Sequence, residues 1–258
     1  MQKNLPTLDP TDKGLFFLSL GGIGEIGANC YLYGCDGKWI MIDLGLSFAD
    51  EQFPGIDLLV PKIDFVDDLD KNLEAVIISH GHEDHAGALA FLANKIKCPV
   101  YVTTFAKLLI ENRLKEFGFL DQINLIEINT NSKIKLKNFN LEFISTTHSI
   151  PQPSAIVIST VYGNLLHTAD WKIDNTPTLG DDFNKKAFEN LGNQGILALI
   201  GDSTNADIPG YSQSENEVKE ESAAEEGVGV ATEDPVEVPE SDETPDVQDS
   251  EEVSEDST

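Results

Sequence analysis

The segment His80-Gly81-His82-Glu83-Asp84-His85 packs His80, His82, Asp84 and His85 into six residues and holds three of the chain's five histidines. Neutral imidazoles and carboxylates are the donors that a borderline cation such as Zn²⁺ accepts. The spacing divides the work, because His80 and His82 can turn to one cation while Asp84 and His85 turn to a second. Two distant positions fit the same site. His148 ends a strand pattern over 141–147 and Asp170 follows another ending at His167, so both can reach the sheet edge that carries the cluster. Asp43, at the end of the 38–43 pattern, can accept an imidazole N–H and orient that ring. His167 falls in a strand-end turn and reads as a structural histidine. The candidate metal ligands are therefore His80, His82, Asp84, His85, His148 and Asp170, and the candidate catalytic residues are Asp84, His85 and Asp43.

These side chains need strands that end together. Apolar, β-branched and aromatic runs predict strands over 15–20, 30–34, 38–43, 73–79, 99–103, 123–128, 133–136, 141–147, 155–160, 164–168 and 195–201. Helical spacing covers 86–97, through Leu89, Leu92, Ala93 and Ile96, and 105–117, with Leu108, Leu109, Leu114 and Phe117 as its apolar face. The pattern reads as α/β with a large mixed sheet. Gly22-Ile-Gly-Glu-Ile-Gly27 fits the GxGxxG dinucleotide fingerprint, with Asp43 at about the spacing of a ribose-binding acid. That fingerprint must open a helix, whereas 29–43 is β-branched, aromatic and turn-punctuated, so a tight glycine turn between strands is expected.

The chain has 258 residues with 45 acids against 17 bases. From Ser212 to Thr258 there are eighteen acids, one lysine and no aromatic residue. Such a segment cannot bury enough apolar surface to order itself. The expected organisation is an N-terminal arm at 1–13, a catalytic domain at 14–211 and a disordered acidic tail at 212–258. No apolar run approaches the roughly 20 residues that span a bilayer, and the N-terminus lacks the pattern of a secretory signal. A cytoplasmic protein without a membrane partner is expected. Cys30, Cys35 and Cys98 are odd in number and lack CxxC spacing, which argues for free thiols. An acidic chain is a poor general binder of nucleic acid, so a nucleic-acid role requires a specific site.

HxHxDH followed by a later His and Asp resembles the metallo-β-lactamase fold. The blocks Leu20–Gly27, Ile42–Phe48, Ser79–His85, Thr147–Pro151, Leu166–Lys172 and Gly201–Asn205, in this order, resemble bacterial ribonuclease J over about 14–215. The resemblance implies an αββα sandwich in which His80, His82 and His148 hold one zinc, Asp84 and His85 hold a second, and Asp170 bridges them about a hydroxide. Mn²⁺ or Mg²⁺ are alternative cations. The implied reaction is hydrolysis of RNA phosphodiester bonds, exonucleolytic from the 5′ end and endonucleolytic, with RNA as partner.

The sequence departs from that family after the last block, where the β-CASP insertion and the completing part of the sandwich give way to the acidic segment. No histidine follows His167, so the family's late histidine has no counterpart. The fold is therefore expected to be incomplete and weakly active or inactive alone, either as a truncated gene product or as one half of a split enzyme that a companion chain or a homo-oligomer would finish. The alternatives are a metallo-hydrolase of small esters or thioesters and a non-catalytic interaction module.

Overall fold

A computed structural model describes residues 9–228. The chain divides into two units, Met1–Glu220 and Glu221–Thr258, and every histidine lies in the first. The strands are β1 (Leu15–Gly21), β2 (Cys30–Cys35), β3 (Lys38–Ile42), β4 (Ser47–Phe48), β5 (Leu58–Leu59), β6 (Leu73–Ile77), β7 (Val100–Thr103), β8 (Leu125–Ile128), β9 (Lys133–Lys135), β10 (Asn140–Ser145), β11 (Ser154–Thr160), β12 (Gly163–His167) and β13 (Ala198–Ile200). The α-helices are α1 (Asp64–Leu69), α2 (Glu83–Ala86), α3 (Thr104–Glu116), α4 (Lys185–Gln194) and α5 (Glu215–Val228).

Eleven of the strands form two mixed sheets, where the sequence pattern suggested one large one, and β4 and β5 pair separately as a two-stranded sheet. The first has the order β1-β2-β3-β6-β7-β8 and the second β13-β12-β11-β10-β9. In the first, β1, β2 and β3 pair antiparallel and β3, β6, β7 and β8 pair parallel. In the second, β13 runs parallel to β12 and the other pairs are antiparallel.

Strand alternation explains why the sheets face each other. Along β3, Trp39 and Met41 join one apolar cluster and Ile40 and Ile42 another. The first cluster takes Val66 and Leu69 from α1 and Ala106, Ile110 and Leu114 from α3. The second lies between the sheets, where Ile40, Ile42 and Ile77 meet Phe143, Ile156 and Ile158. Along β11, Ala155 and Val157 turn outward to a third cluster with Leu191 of α4. The layers are thus helix, sheet, sheet, helix, each buried branched side chain contributing about 1.5–3 kcal/mol.

Three expectations are corrected. Within 86–97 only Ala86 belongs to α2, and turns and a 3₁₀ turn at Ala93–Lys95 follow. Leu89, Ala93 and Ile96 are buried and Leu92 is half-buried, but neighbouring chain captures the backbone groups a longer helix would use. Asn29 N donates to the Asp84 carbonyl, Leu44 N to that of His85, and Ala88 N to that of Leu44. On α3 the buried face is Ala106, Ile110 and Leu114, while Leu108, Leu109 and Phe117 are exposed. Spacing of four selects that stripe over the larger leucines. Within the acidic segment, α5 forms over Glu215–Val228. Ser214 and Glu217 make reciprocal bonds, Glu217 N to Ser214 Oγ at 3.1 Å and Ser214 N to Glu217 Oε2 at 2.9 Å, a capping box. Residues 1–8 of the expected arm and 229–258 of the expected tail lie outside the described residues. Among the described residues, no helix is long and apolar enough to cross a membrane.

Candidate metal centre

The cluster residues leave the carboxyl ends of the parallel strands. Asp43 follows β3 directly, Ser79 and His80 follow β6, and the chain then turns into α2 with His82 at its N-cap. On the opposite sheet, β10 and β12 are both antiparallel to β11, so their carboxyl ends point the same way. His148 lies three residues after β10 and Asp170 three after β12, and an isolated bridge between Thr147 and Lys172 ties these two exits together.

Backbone packing fixes the His-rich turn. The carbonyls of Glu83, Asp84 and His85 accept from Leu46 N at 3.0 Å, Asn29 N at 3.0 Å and Leu44 N at 2.8 Å. Gly45 makes this approach possible, because a Cβ there would overlap the Asp84 carbonyl. At Gly81 a Cβ would lie 2.9 Å from Leu109 Cδ1, a side-chain end that can shift. The Gly22–Gly27 run forms a loop between β1 and β2, as expected of a glycine turn. Gly22, Gly24 and Gly27 there have φ of 78°, 75° and 89°, values that favour residues without a Cβ.

Two donor groups converge, each with its ligand atoms within 4.8 Å of one another: His80, His82 and His148, and His80, His85 and Asp170. His82 Nδ1 lies 3.1 Å from both His80 Nε2 and His148 Nε2. His85 Nε2 lies 3.1 Å from Asp170 Oδ1 and 3.5 Å from Asp84 Oδ2. Asp84 belongs to neither group and sits nearer solvent. Three imidazole nitrogens facing one another beside a carboxylate fit a bound cation better than mutual hydrogen bonding, since neutral rings would oppose lone pairs.

Burial sets the protonation states. It holds His80 well below the usual histidine range, with repulsion from His85, His148 and His82 adding to the effect. Burial likewise lowers His82 and His148. For His85 burial acts downward too, but Asp43 and Asp170 outweigh it and raise the ring to about 10. Burial pushes Asp170 upward, yet the hydrogen bond and charge of His85, with His148 and His82, keep it below the usual carboxylate value.

Asp43 Oδ2 lies 2.7 Å from His85 Nδ1, and Asp43 also holds a residue the sequence did not single out. It accepts from Ser79 N at 2.8 Å and Ser79 Oγ at 2.9 Å. The β-strand pattern covered Ser79 but gave no sign that its side chain turns back to Asp43. His167 is wholly buried; its Nδ1 pairs with Tyr33 Oη at 2.8 Å, whereas its Nε2 has no partner. The structural reading of His167 thus holds for one ring nitrogen only. Asn29 was also missed. Its Nδ2 lies 3.3 Å from Asp84 Oδ2 and 3.1 Å from His85 Nε2, a contact 55 residues distant in sequence. A cavity of about 320 Å³ opens beside His85 and Asp170, bordered by the glycine loop, Asn29, Tyr31 and Asp202.

All three cysteines are free, Cys30 and Cys35 buried and Cys98 half-buried, as the spacing implied. Burial raises each thiol, Cys98 to about 11, so none is a ready thiolate.

Residues 23–226 match the family model of the metallo-beta-lactamase superfamily. The chain is 41% identical over 230 residues to "Ribonuclease J" of Sinorhizobium meliloti, which covers 86% of this chain and 41% of that protein. It is 40% identical over 213 residues to "Ribonuclease J 1" of Streptococcus pyogenes, covering 82% and 37%. It therefore spans about two-fifths of the length of these curated relatives. Among solved structures, a protein of unknown function from Enterococcus faecalis superposes with a TM-score of 0.58 at 19% identity, over 83% of this chain and 57% of that one. That likeness supports the layered fold alone. From the family match, the two facing sheets and the donor groups at their shared edge, the chain belongs to the metallo-beta-lactamase superfamily.

Proposed function

We propose that this chain carries the metal centre of a ribonuclease J-like hydrolase that cleaves RNA phosphodiester bonds, from the 5′ end and internally. The observation that carries the reading is the meeting of His80, His82 and His148 with His85 and Asp170 at one sheet edge. Its similarity to ribonuclease J supplies the substrate class. In this reading His80, His82 and His148 hold one cation, Asp84 and His85 hold a second, and Asp170 serves both. Zinc suits a three-imidazole set, and Mn²⁺ is the next fit; Mg²⁺ prefers an all-oxygen shell. Two such cations supply Lewis acidity at phosphorus and an acidified water.

The chain's own residues prepare that chemistry. Burial keeps His80 neutral and available as a donor. Asp43 fixes the His85 ring through Nδ1 at 2.7 Å, which leaves Nε2 facing Asp170. The adjoining cavity gives a phosphodiester an approach past Asn29 and Asp202. Leu197, next to β13, and Leu199, within it, are 60% and 62% exposed, which supports association with a companion chain or a second copy.

Cleavage of 5′-monophosphorylated RNA by the purified chain, with and without chelator, tests the function. Weak chelator-sensitive cleavage by the chain alone, abolished by His80→Ala and His82→Ala, is expected. Turnover of small esters or thioesters without RNA cleavage would overturn it.

A further inference from the structure

The binuclear reading leaves one ligand without obvious support. Asp84 stands outside both converging groups, with its side chain 35% exposed against 1% for His85. An exposed carboxylate is free to rotate toward water, so something must keep it at the second cation position.

Asn29 is built to do this. Its backbone is tied to the same turn, with Asn29 N donating to the Asp84 carbonyl at 3.0 Å and Gly45 N donating to the Asn29 carbonyl at 2.9 Å. The residue is 9% exposed. Tyr31 Oη donates to Asn29 Oδ1 at 2.8 Å. That bond uses the carbonyl end of the amide and turns the NH₂ end toward Asp84 Oδ2 and His85 Nε2. An amide nitrogen has two protons and no acceptor capacity, so it can restrain the carboxylate while leaving both carboxylate oxygens their remaining lone pairs for a cation. Burial holds Tyr31 well above the usual phenol value, which keeps its hydroxyl a donor.

We propose that Asn29, with its amide oriented by Tyr31, is a positioning residue that holds Asp84 at the second cation position. The inference rests on the two-cation reading. It makes second-cation affinity depend on a residue that is not itself a ligand. Partners that orient metal ligands are worth about 10- to 100-fold in metal affinity.

The test uses the full 258-residue chain, stripped of metal and titrated with Zn²⁺ against a chromophoric chelator. Wild type should show two binding events. Asn29→Ala should leave the first unchanged and weaken the second about 10- to 100-fold, with the metal-free melting temperature retained. Retention is expected because Tyr31 Oη keeps the Gly22 carbonyl, 3.1 Å away, as acceptor. Tyr31→Phe, which frees the amide to turn, should weaken the same event by a smaller factor. Equal weakening of both events with a lowered melting temperature, or two wild-type affinities in Asn29→Ala, would overturn the proposal. A single event in wild type would remove the two-cation reading and this inference together, and the wild-type titration alone would reveal it.

Discussion

His85 Nδ1 lies 2.7 Å from Asp43 Oδ2, with the two side chains 1% and 0% exposed. Asp43 adopts a left-handed φ of 62° to reach this position. It receives three hydrogen bonds there, two from Ser79 and one from the ring. The pair joins the end of β3 to the turn after β6, so the same contact that shapes the site also ties two strand ends.

Removing one side of that pair should be costly. Asp43→Ala leaves the buried Ser79 N–H and the His85 ring without their acceptor, and a loss of about 3–5 kcal/mol is expected. Asp43→Asn keeps an oxygen for Ser79 N and should lose less. Urea unfolding of the metal-free proteins checks this; equal stability of Asp43→Ala and wild type would contradict it.

The same pair gives the metal-free protein a pH signature. His85 is raised from 6.5 to about 10 when folded. Its contribution to stability is fully present below pH 6.5 and is lost as pH rises through about 10. A cation takes the neutral ring, so metal uptake near pH 7.5 should release the His85 proton. Calorimetric titration in two buffers of different ionisation enthalpy measures the release, which Asp43→Asn should reduce. Uptake without proton release would contradict the assignment.

His167 should produce the opposite slope. Burial lowers it to about 4, so the unfolded chain binds the proton first and stability falls as pH drops from 6.5 toward 4. His167→Asn retains an acceptor for Tyr33 and cannot titrate. Its stability should fall less than wild type over that range; parallel curves would show that His167 is not the group responsible.

How much of this was legible in the sequence depended on locality. His80, His82, Asp84 and His85 crowd one turn, and His148 and Asp170 follow strand patterns whose ends could be placed on one edge. The alternation along Trp39–Ile42 and Ala155–Ile158 carried the strands. What the sequence did not reveal are contacts between distant segments. Asn29 meets Asp84 across 55 residues, and its glycine-rich neighbourhood reads first as a turn. Helical spacing at 86–97 described burial correctly, but the carbonyls that would extend the helix are taken by Asn29 and Leu44, which no local pattern reports. On α3, size favoured Leu108 and Leu109, while the packed stripe runs through Ala106 and Ile110. The capping box at Ser214 and Glu217 is a local signal, masked by the acidic composition around it.

Gly45 offers a test of the backbone packing. A Cβ there would overlap the Asp84 carbonyl, so Gly45→Ala must push the strap at 44–46 away from the His-rich turn. A loss of about 1–3 kcal/mol is expected, with weaker metal binding at His85. Thermal unfolding and metal analysis of the variant check both; unchanged values would mean that the strap is dispensable.

In the proposed reading, this chain assembles two cation positions at the shared edge of its sheets. The direct test is elemental analysis of metal per folded chain, purified without chelator, beside Asp170→Ala. Two metals per wild-type chain, with fewer in Asp170→Ala, is the predicted result. One or none in wild type, or two retained in Asp170→Ala, would contradict the account.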